Sequence, residues 1–404
     1  MTASTRVGAH PLWPRGMMAV LVAQFLSALA DNALLFAAIT MLHAHAAPSW
    51  QTPLLQAVFV IAFILLAPFV GPLADAWPKG RVMLLANTMK FGGAASMLLG
   101  LHPLIAYNLV GIGAAAYSPA KYGILSELVG KEQLVKANGM MEGSTIVAIL
   151  LGALLGGMLA DASVTYALGA VCVCYLLAAA ANARIPRLPV AHPMAHYSPA
   201  VLIRDFWHAV ATLFRNRDAR FSLLGTSVFW GAGSTLRLLL VAWVPVALGV
   251  GDLSMPANLS GAVAIGIAFG AAGAASFVSL DKVNRALPAG VLIGFLIVVF
   301  AHMTNLYAAV ALLVLVGACG GFYVVPLNAL LQERGHETVG AGHAVAVQNF
   351  VENFAMLALV GLYTGMDRSQ VPVVHSATAF GTVVLVAITA LAVYRLGGGR
   401  AVSQ

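Results

Sequence analysis

Asp31, Arg237 and Glu352 each lie deep inside a long apolar stretch of the 404-residue chain. A charge in hydrocarbon is costly enough that each is a candidate for ligand binding, gating or a structural ion pair. Glu352 shares a helical face with Gln348, Asn349 and Asn353, a stripe suited to the wall of a wetted cavity or to interhelical hydrogen bonding. Lys90, Lys121 and Glu142 lie nearer the ends of their stretches. For these a second polar station, snorkelling and local ion pairing all remain open. Lys121 follows Tyr117-Ser118-Pro119-Ala120, where proline frees backbone carbonyls and bends a helix. No nucleophile, base and oxyanion donors converge, so the pattern is not that of an enzyme. Histidines 43, 45, 102 and 302 form no ligand cluster, and Cys172, Cys174 and Cys319 have neither disulfide nor metal spacing. Neither a metal nor another cofactor is expected.

The elements that position these side chains follow from composition. The chain is 61% hydrophobic and 9% charged, against roughly 25% charged in soluble domains. Apolar runs near the ~20 residues that span a bilayer recur at about 17–43, 54–74, 82–100, 103–127, 133–160, 163–184, 219–249, 258–280, 288–302, 304–331, 338–366 and 371–395. The glycine-rich stretch from Gly261 to Gly273 reads as helix, because spanning backbone must satisfy itself and small residues permit close packing. The net charge of +7 does not mark a nucleic-acid binder. Of 21 Lys and Arg, 17 fall in the N-terminus, the even-numbered connections and the C-terminus, Arg6, Arg187 and Arg400 among them. The positive-inside rule then puts both termini in the cytoplasm, with anionic membrane lipids as secondary partners.

An internal repeat organises the spans. An offset of 206 takes Asp75 to Asp281, Lys79 to Arg285, Tyr117 to Tyr323 and Glu127 to Glu333, and it takes Asp31 to Arg237. The expected architecture is an all-α membrane protein of two pseudo-symmetric six-helix bundles, residues 1–184 and 219–404, as in two-bundle transporters. The 185–218 linker begins proline-rich. Its Phe206, Val210 and Leu213, with Trp207 and Phe214 beside them, suit either an amphipathic helix on the membrane surface or a plain tether. In the two-bundle arrangement Asp31 and Arg237 become facing symmetry mates, able to pair, to bind opposite ends of a zwitterion, or to exchange between these.

The loop Gly71-Pro-Leu-Ala-Asp75-Ala-Trp-Pro78-Lys79-Gly-Arg81 resembles the signature loop of the major facilitator superfamily. Pro78 stands where that family usually has glycine. Its ions can hold one gate state, and the second copy, Asp281 to Arg285, is degenerate. Span 5 carries Gly152-x-x-x-Gly156-Gly157, a close-packing pattern. Proton-driven exporters of the superfamily have proline where Gly157 stands, which argues against that class.

Four longer blocks narrow the resemblance: Gln24 to Phe36, Tyr117 to Ile124, Phe229 to Arg237, and Val325 to Arg334. Together they resemble the bacterial lysophospholipid transporter family over essentially the full chain. The resemblance implies a flippase that moves lysophosphatidylethanolamine and lysophosphatidylglycerol to the inner leaflet of the bacterial inner membrane. A cytoplasmic acyltransferase and acyl-carrier-protein synthetase would reacylate them there, and the carrier would be a monomer. The family's mid-membrane charged residues map onto Asp31, Arg237 and Glu352, and the candidate site read from this sequence adds Gln24, Asn32, Gln348, Asn349, Lys121 and Glu142. Arg237 is then expected on the phosphate and Asp31 and Glu352 on the amine or the gate. Asp75, Lys79, Arg81, Asp281 and Arg285 would latch the outward-open state. The alternative is a proton-coupled carrier of a soluble amphiphile or drug.

Overall fold

The computed structural model describes residues 15–48, 51–186, 188, 198–249 and 254–397. Arg6, Arg187, Arg400 and most of the proline-rich start of the linker lie outside them. Among the described residues the elements are α1 (Arg15–Ala44), α2 (Gln51–Ala76), α3 (Lys79–Leu98), α4 (Pro103–Gly123), the single turn α5 (Leu125–Leu128), α6 (Lys131–Ala162) and α7 (Val164–Ala183). Then follow α8 (Pro199–Arg215), α9 (Arg217–Leu248), α10 (Ser254–Phe277), a 3-10 segment (Leu280–Ala286), α11 (Leu287–Ala301), α12 (Leu306–Thr338), α13 (Ala341–Arg368) and α14 (Val373–Gly397). Ten stretches are apolar and long enough to cross a membrane by themselves, the 3-10 segment and α11 forming one of them. The two that complete the twelve are α3, with Lys79, Arg81, Asn87 and Lys90, and α4, with Lys121. Lys79, Asn87 and Lys90 are carried by side-chain partners within the protein.

The duplication is visible in which helices touch. α1 packs on α6 and α7 as α9 packs on α13 and α14; α3 packs on α4 and α7 as α11 packs on α12 and α14. α2 lies on α4 as α10 lies on α12, and across the bundles α2 meets α13 as α10 meets α6. The connections after α2, α4, α7, α10 and α12 all fall at one end, which we term the basic end because the cationic loops gather there.

Glycine sets how closely these helices approach. On α10, Gly266 and Gly270 face the carbonyls of Val314 and Ala318, while on α12 Gly317 and Gly321 face those of Val263 and Ile267. Gly152 and Gly156 of α6 lie in the same way against Leu29 and Ala33 of α1. With little hydrophobic drive between helices in lipid, such backbone contact supplies the association through dispersion.

The linker contains a helix, α8, but its apolar face rests on protein and not on the membrane surface alone. Phe206, Ala209 and Leu213 are buried with Ala67 of α2 and Ala344 and Val347 of α13. Phe206 and Trp207 meet Phe350 edge-on at ring-centroid distances of 5.5 and 5.8 Å. Ala67 and Ala344 are small enough to let the Phe206 ring approach α2 and α13 closely.

Gly270→Val should overpack the α10–α12 contact, at a cost of about 3 kcal/mol or more, while Gly261→Ala, whose new methyl meets open space, should be silent. Thermal unfolding of the purified protein checks the contrast.

Candidate functional site

Between the bundles lies a cavity of about 380 Å³ walled by α2, α4, α6, α9, α12 and α13. Three of its charged groups come from different helices: Lys121 from α4, Glu142 from α6 and Glu352 from α13. Amides and hydroxyls of Ser118, Thr145, Asn328, Gln348, Asn349 and Asn353 surround them. The opposite wall is apolar, with Phe59, Val60, Phe63, Trp230 and Met356. The i, i+1, i+4, i+5 stripe of α13 therefore faces the cavity along its whole length.

Hydrogen bonds fix most of these groups. Tyr122 Oη donates to Glu142 at 2.8 Å, and Asn328 donates to the same carboxylate at 3.2 Å. Gln348 donates to Asn328 at 2.7 Å and to Glu352 at 2.8 Å. Asn349 reaches across the bundles to Ser118 at 2.9 Å. Lys121 has no carboxylate within 4 Å among the described residues; its ammonium stands 4.1 Å from the centre of the Tyr122 ring. Lys121 and Glu142 thus belong to one station with Glu352, not to a second one. Although Lys121 lies two residues from the end of α4, its side chain is buried and lines the cavity instead of snorkelling out.

Asp31 is placed otherwise than its symmetry with Arg237 suggests. Its carboxylate takes Lys90 Nζ at 2.8 Å and Tyr175 Oη at 2.7 Å, both from its own bundle. Lys90 also donates to Ser27, which donates to Asn87. The pairing arises because α7 packs on both α1 and α3, so that the long Lys90 side chain of α3 reaches Asp31 across the bundle. Arg237 is exposed and has no hydrogen bond or ion pair among the described residues. It shares a face of α9 with Trp230 and lies two turns farther from the basic end. Of the neighbours of Asp31, Asn32 bonds only Ala28 of its own helix, whereas Gln24 donates to Thr145 on the cavity wall at 2.6 Å.

At the basic end the bundles are closed on each other. Asp75 accepts from the backbone of Gly342 at 2.7 Å and His343 at 2.9 Å, and its carboxylate meets His343 Nδ1 at 2.7 Å. It caps α13, where free N–H groups and the helix dipole favour an anion. Gly340, at φ +100°, leads into this turn; a side chain there would be strained and would strike Asp75. Lys79 holds Asp75 at 3.4 Å and Glu127 at 2.5 Å. The rest of the proposed latch does not join: Arg81 and Asp281 are exposed, and Arg285 bonds Phe277 O. α2 remains helical through Asp75, while α10 ends at Phe277 and leaves Asp281 in the 3-10 segment. Along α6 and α12 the closure continues inward as a ladder. Lys131 pairs with Glu333 and Glu337, Asn138 and Gln332 exchange two hydrogen bonds of 2.9 and 2.8 Å, and Glu142 meets Asn328 at the cavity.

Residues 20–360 match the Major Facilitator Superfamily family model. The "Lysophospholipid transporter LplT" of Escherichia coli O9:H4 (strain HS) is 55% identical over 384 residues, 95% of this chain and 97% of the relative. That of Enterobacter sp. (strain 638) is 55% identical over 393 residues, 96% and 99% of the two chains. The chain belongs to the lysophospholipid transporters of the major facilitator superfamily. Solved structures agree in fold. FucP in the outward conformation superposes with a TM-score of 0.73 at 12% identity, covering 94% of this chain and 98% of that one. Human organic anion transporter MFSD10 gives 0.77 at 14% identity, with coverage of 93% and 99%.

Several site residues of this carrier escaped sequence reasoning. Asn328 carries a signal, an amide two residues after Pro326 in an apolar span. Thr145 and Tyr122 carry none, since hydroxyls are common in spans. Lys90 was visible, but its partner depends on how α1 and α3 are rotated.

The Asn138–Gln332 rung gives a double-mutant test. Asn138→Leu strands a buried amide and should weaken closure by about 1–3 kcal/mol, whereas Asn138→Leu with Gln332→Leu should recover most of it. In a background without the native cysteines, alkylation of Phe63→Cys by an impermeant reagent from the basic side should rise about five- to a hundredfold in the single variant only.

Proposed function

We propose that the carrier moves lysophospholipids from the outer to the inner leaflet of the bacterial inner membrane by alternating access. The observation that carries this is the cavity, where an ammonium and two carboxylates face an aromatic and aliphatic wall. One acyl chain on a phosphate-bearing headgroup needs both surfaces at once. Lys121 takes the phosphate, since it is the cation of the cavity wall and no carboxylate lies within 4 Å of it among the described residues. Glu142 and Glu352 take an ethanolamine ammonium, and Phe59, Phe63 and Met356 lie along the chain. Arg237, farther from the basic end on the Trp230 face, makes the first phosphate contact. Asp31 is committed to Lys90 and Tyr175 and so ties α1 to α7 and, through the Lys90 side chain, to α3. The names and identities of the relatives support the lipid class.

The basic end is the cytoplasmic one by the positive-inside rule, with both termini on that side. The closure by Asp75, Lys79 and the α6–α12 ladder then belongs to the outward-facing state. The ladder must part for release, which delivers the lysolipid to the leaflet where a cytoplasmic acyltransferase and acyl-carrier-protein synthetase reacylate it. Each six-helix bundle, 1–184 and 219–404, rocks as a body in a monomer.

Reconstitution tests this with labelled lysophosphatidylethanolamine in vesicles. The protein should speed transfer over empty vesicles, and Lys121→Gln should slow it about ten- to a hundredfold, the worth of a charged hydrogen bond. Lys121→Arg should retain part. Transfer no faster than in empty vesicles overturns the proposal, and so does an unaffected Lys121→Gln.

A further inference from the structure

The cavity holds one cation and two carboxylates, and that count bears on which headgroup it accepts. Resting on the lysophospholipid reading, we propose that Glu352 exchanges a proton with the solvent according to the headgroup bound: ionised against an amine, protonated where the headgroup has none. Headgroup preference then follows pH.

The two carboxylates differ in surroundings. Glu142 has Lys121 as a charged neighbour and accepts hydrogen bonds from Tyr122 and Asn328. Glu352 is bonded by Gln348, with the Thr226 hydroxyl of α9 beside it, and its charged neighbour is Glu142. From α4 it faces Lys121 and Tyr122, and from α6 Glu142; α2, α9 and α12 bring Phe59, Phe63, Trp230 and Asn328 to the cavity, none of them titratable. α8 and α14 contribute nothing to the lining. Arg237 lies two turns away along α9. His343, on its own helix, is engaged by Asp75 at the basic end.

A phosphoethanolamine headgroup brings one negative and one positive charge. Its phosphate meets Lys121, and its ammonium compensates Glu352, which stays ionised. A phosphoglycerol headgroup brings the phosphate and two hydroxyls only. With it bound, an ionised Glu352 would face Glu142 and the phosphate with no counter-charge in a site removed from water, which like-charge repulsion and desolvation both oppose. A proton taken from water removes that charge and lets the carboxyl donate a hydrogen bond to the glycerol. Linkage fixes the sign: a ligand whose binding takes up a proton binds more tightly as pH falls, by at most about tenfold per unit, and the amine-bearing ligand does not share that gain.

The test is equilibrium binding of lysophosphatidylglycerol and lysophosphatidylethanolamine to the full chain in nanodiscs, between roughly pH 6 and 8. The affinity ratio should shift toward the glycerol lipid by several-fold at the acid end. Calorimetry in buffers of different ionisation enthalpy should show proton uptake with the glycerol lipid alone. Glu352→Gln should flatten the pH profile and favour the glycerol lipid throughout. Glu142→Gln should keep the pH dependence. Equal proton uptake with both lipids, a ratio constant with pH, or pH dependence persisting in Glu352→Gln overturns the proposal while the lysophospholipid reading stands. Binding of neither lipid by the wild-type chain overturns both. The proton measurement needs no variant, so failure of Glu352→Gln to fold leaves the inference decidable.

Discussion

A charge surrounded by hydrocarbon must be paired, capped by backbone or bathed by a cavity, and the arrangement of this carrier is a set of answers to that demand. Asp31 and Lys90 answer by pairing within one bundle. Asp75 answers by capping α13, using a helix end that would otherwise want an acceptor. Lys121, Glu142 and Glu352 answer by opening onto one cavity. Each solution ties a different level of structure: the first holds a bundle, the second joins two bundles, and the third leaves charge available to a ligand.

The same chain needs contacts that stay and contacts that part. Within the bundles the glycine faces of α10 and α12 put backbone against backbone, a geometry with no alternative partner nearby. Between bundles the ladder of Asn138, Gln332, Glu142 and Asn328 is made of side-chain hydrogen bonds. Water can replace such bonds at small net cost, so that seam is separable in a way the glycine contacts are not. Asn328 sits where both demands meet, because it bonds Glu142 across the seam and receives Gln348, which also bonds Glu352. A ligand that draws either carboxylate away acts directly on the last rung of the closure.

Much of this was legible beforehand. Apolar runs marked out the spans, ten of them plain by length and hydropathy among the described residues, because these are properties of a segment alone. The α13 stripe was legible for the same reason: Gln348, Asn349, Glu352 and Asn353 share a face whatever surrounds them. The family resemblance supplied the substrate class, which the residues by themselves left among several amphiphiles. What failed was azimuth. The offset of 206 pairs Asp31 with Arg237 on helices that hold corresponding places in the two bundles, but such a pairing fixes position on a helix and not the partner a side chain finds. Lys90 reached Asp31 because α1 and α3 both pack on α7, and no spacing in the sequence encodes that rotation. Asp281 failed differently, for its loop keeps the residue type of Asp75 and loses the helix beneath it.

These failures share a direction. Duplication gave the halves one backbone plan, and their charges have since diverged from it: an anion is neutralised in the first half where a cation stands free in the second, and one latch is formed where two copies of the loop exist. With identical halves, closing the basic end and closing the opposite end would use equivalent contacts and differ little in energy. With Asp75 capping α13 and its counterpart Asp281 exposed, the two closures draw on different groups, so their balance can be set independently of the frame. A carrier biased toward one open side waits for substrate there, and the broken symmetry of its charges is the means by which a symmetric scaffold acquires that bias.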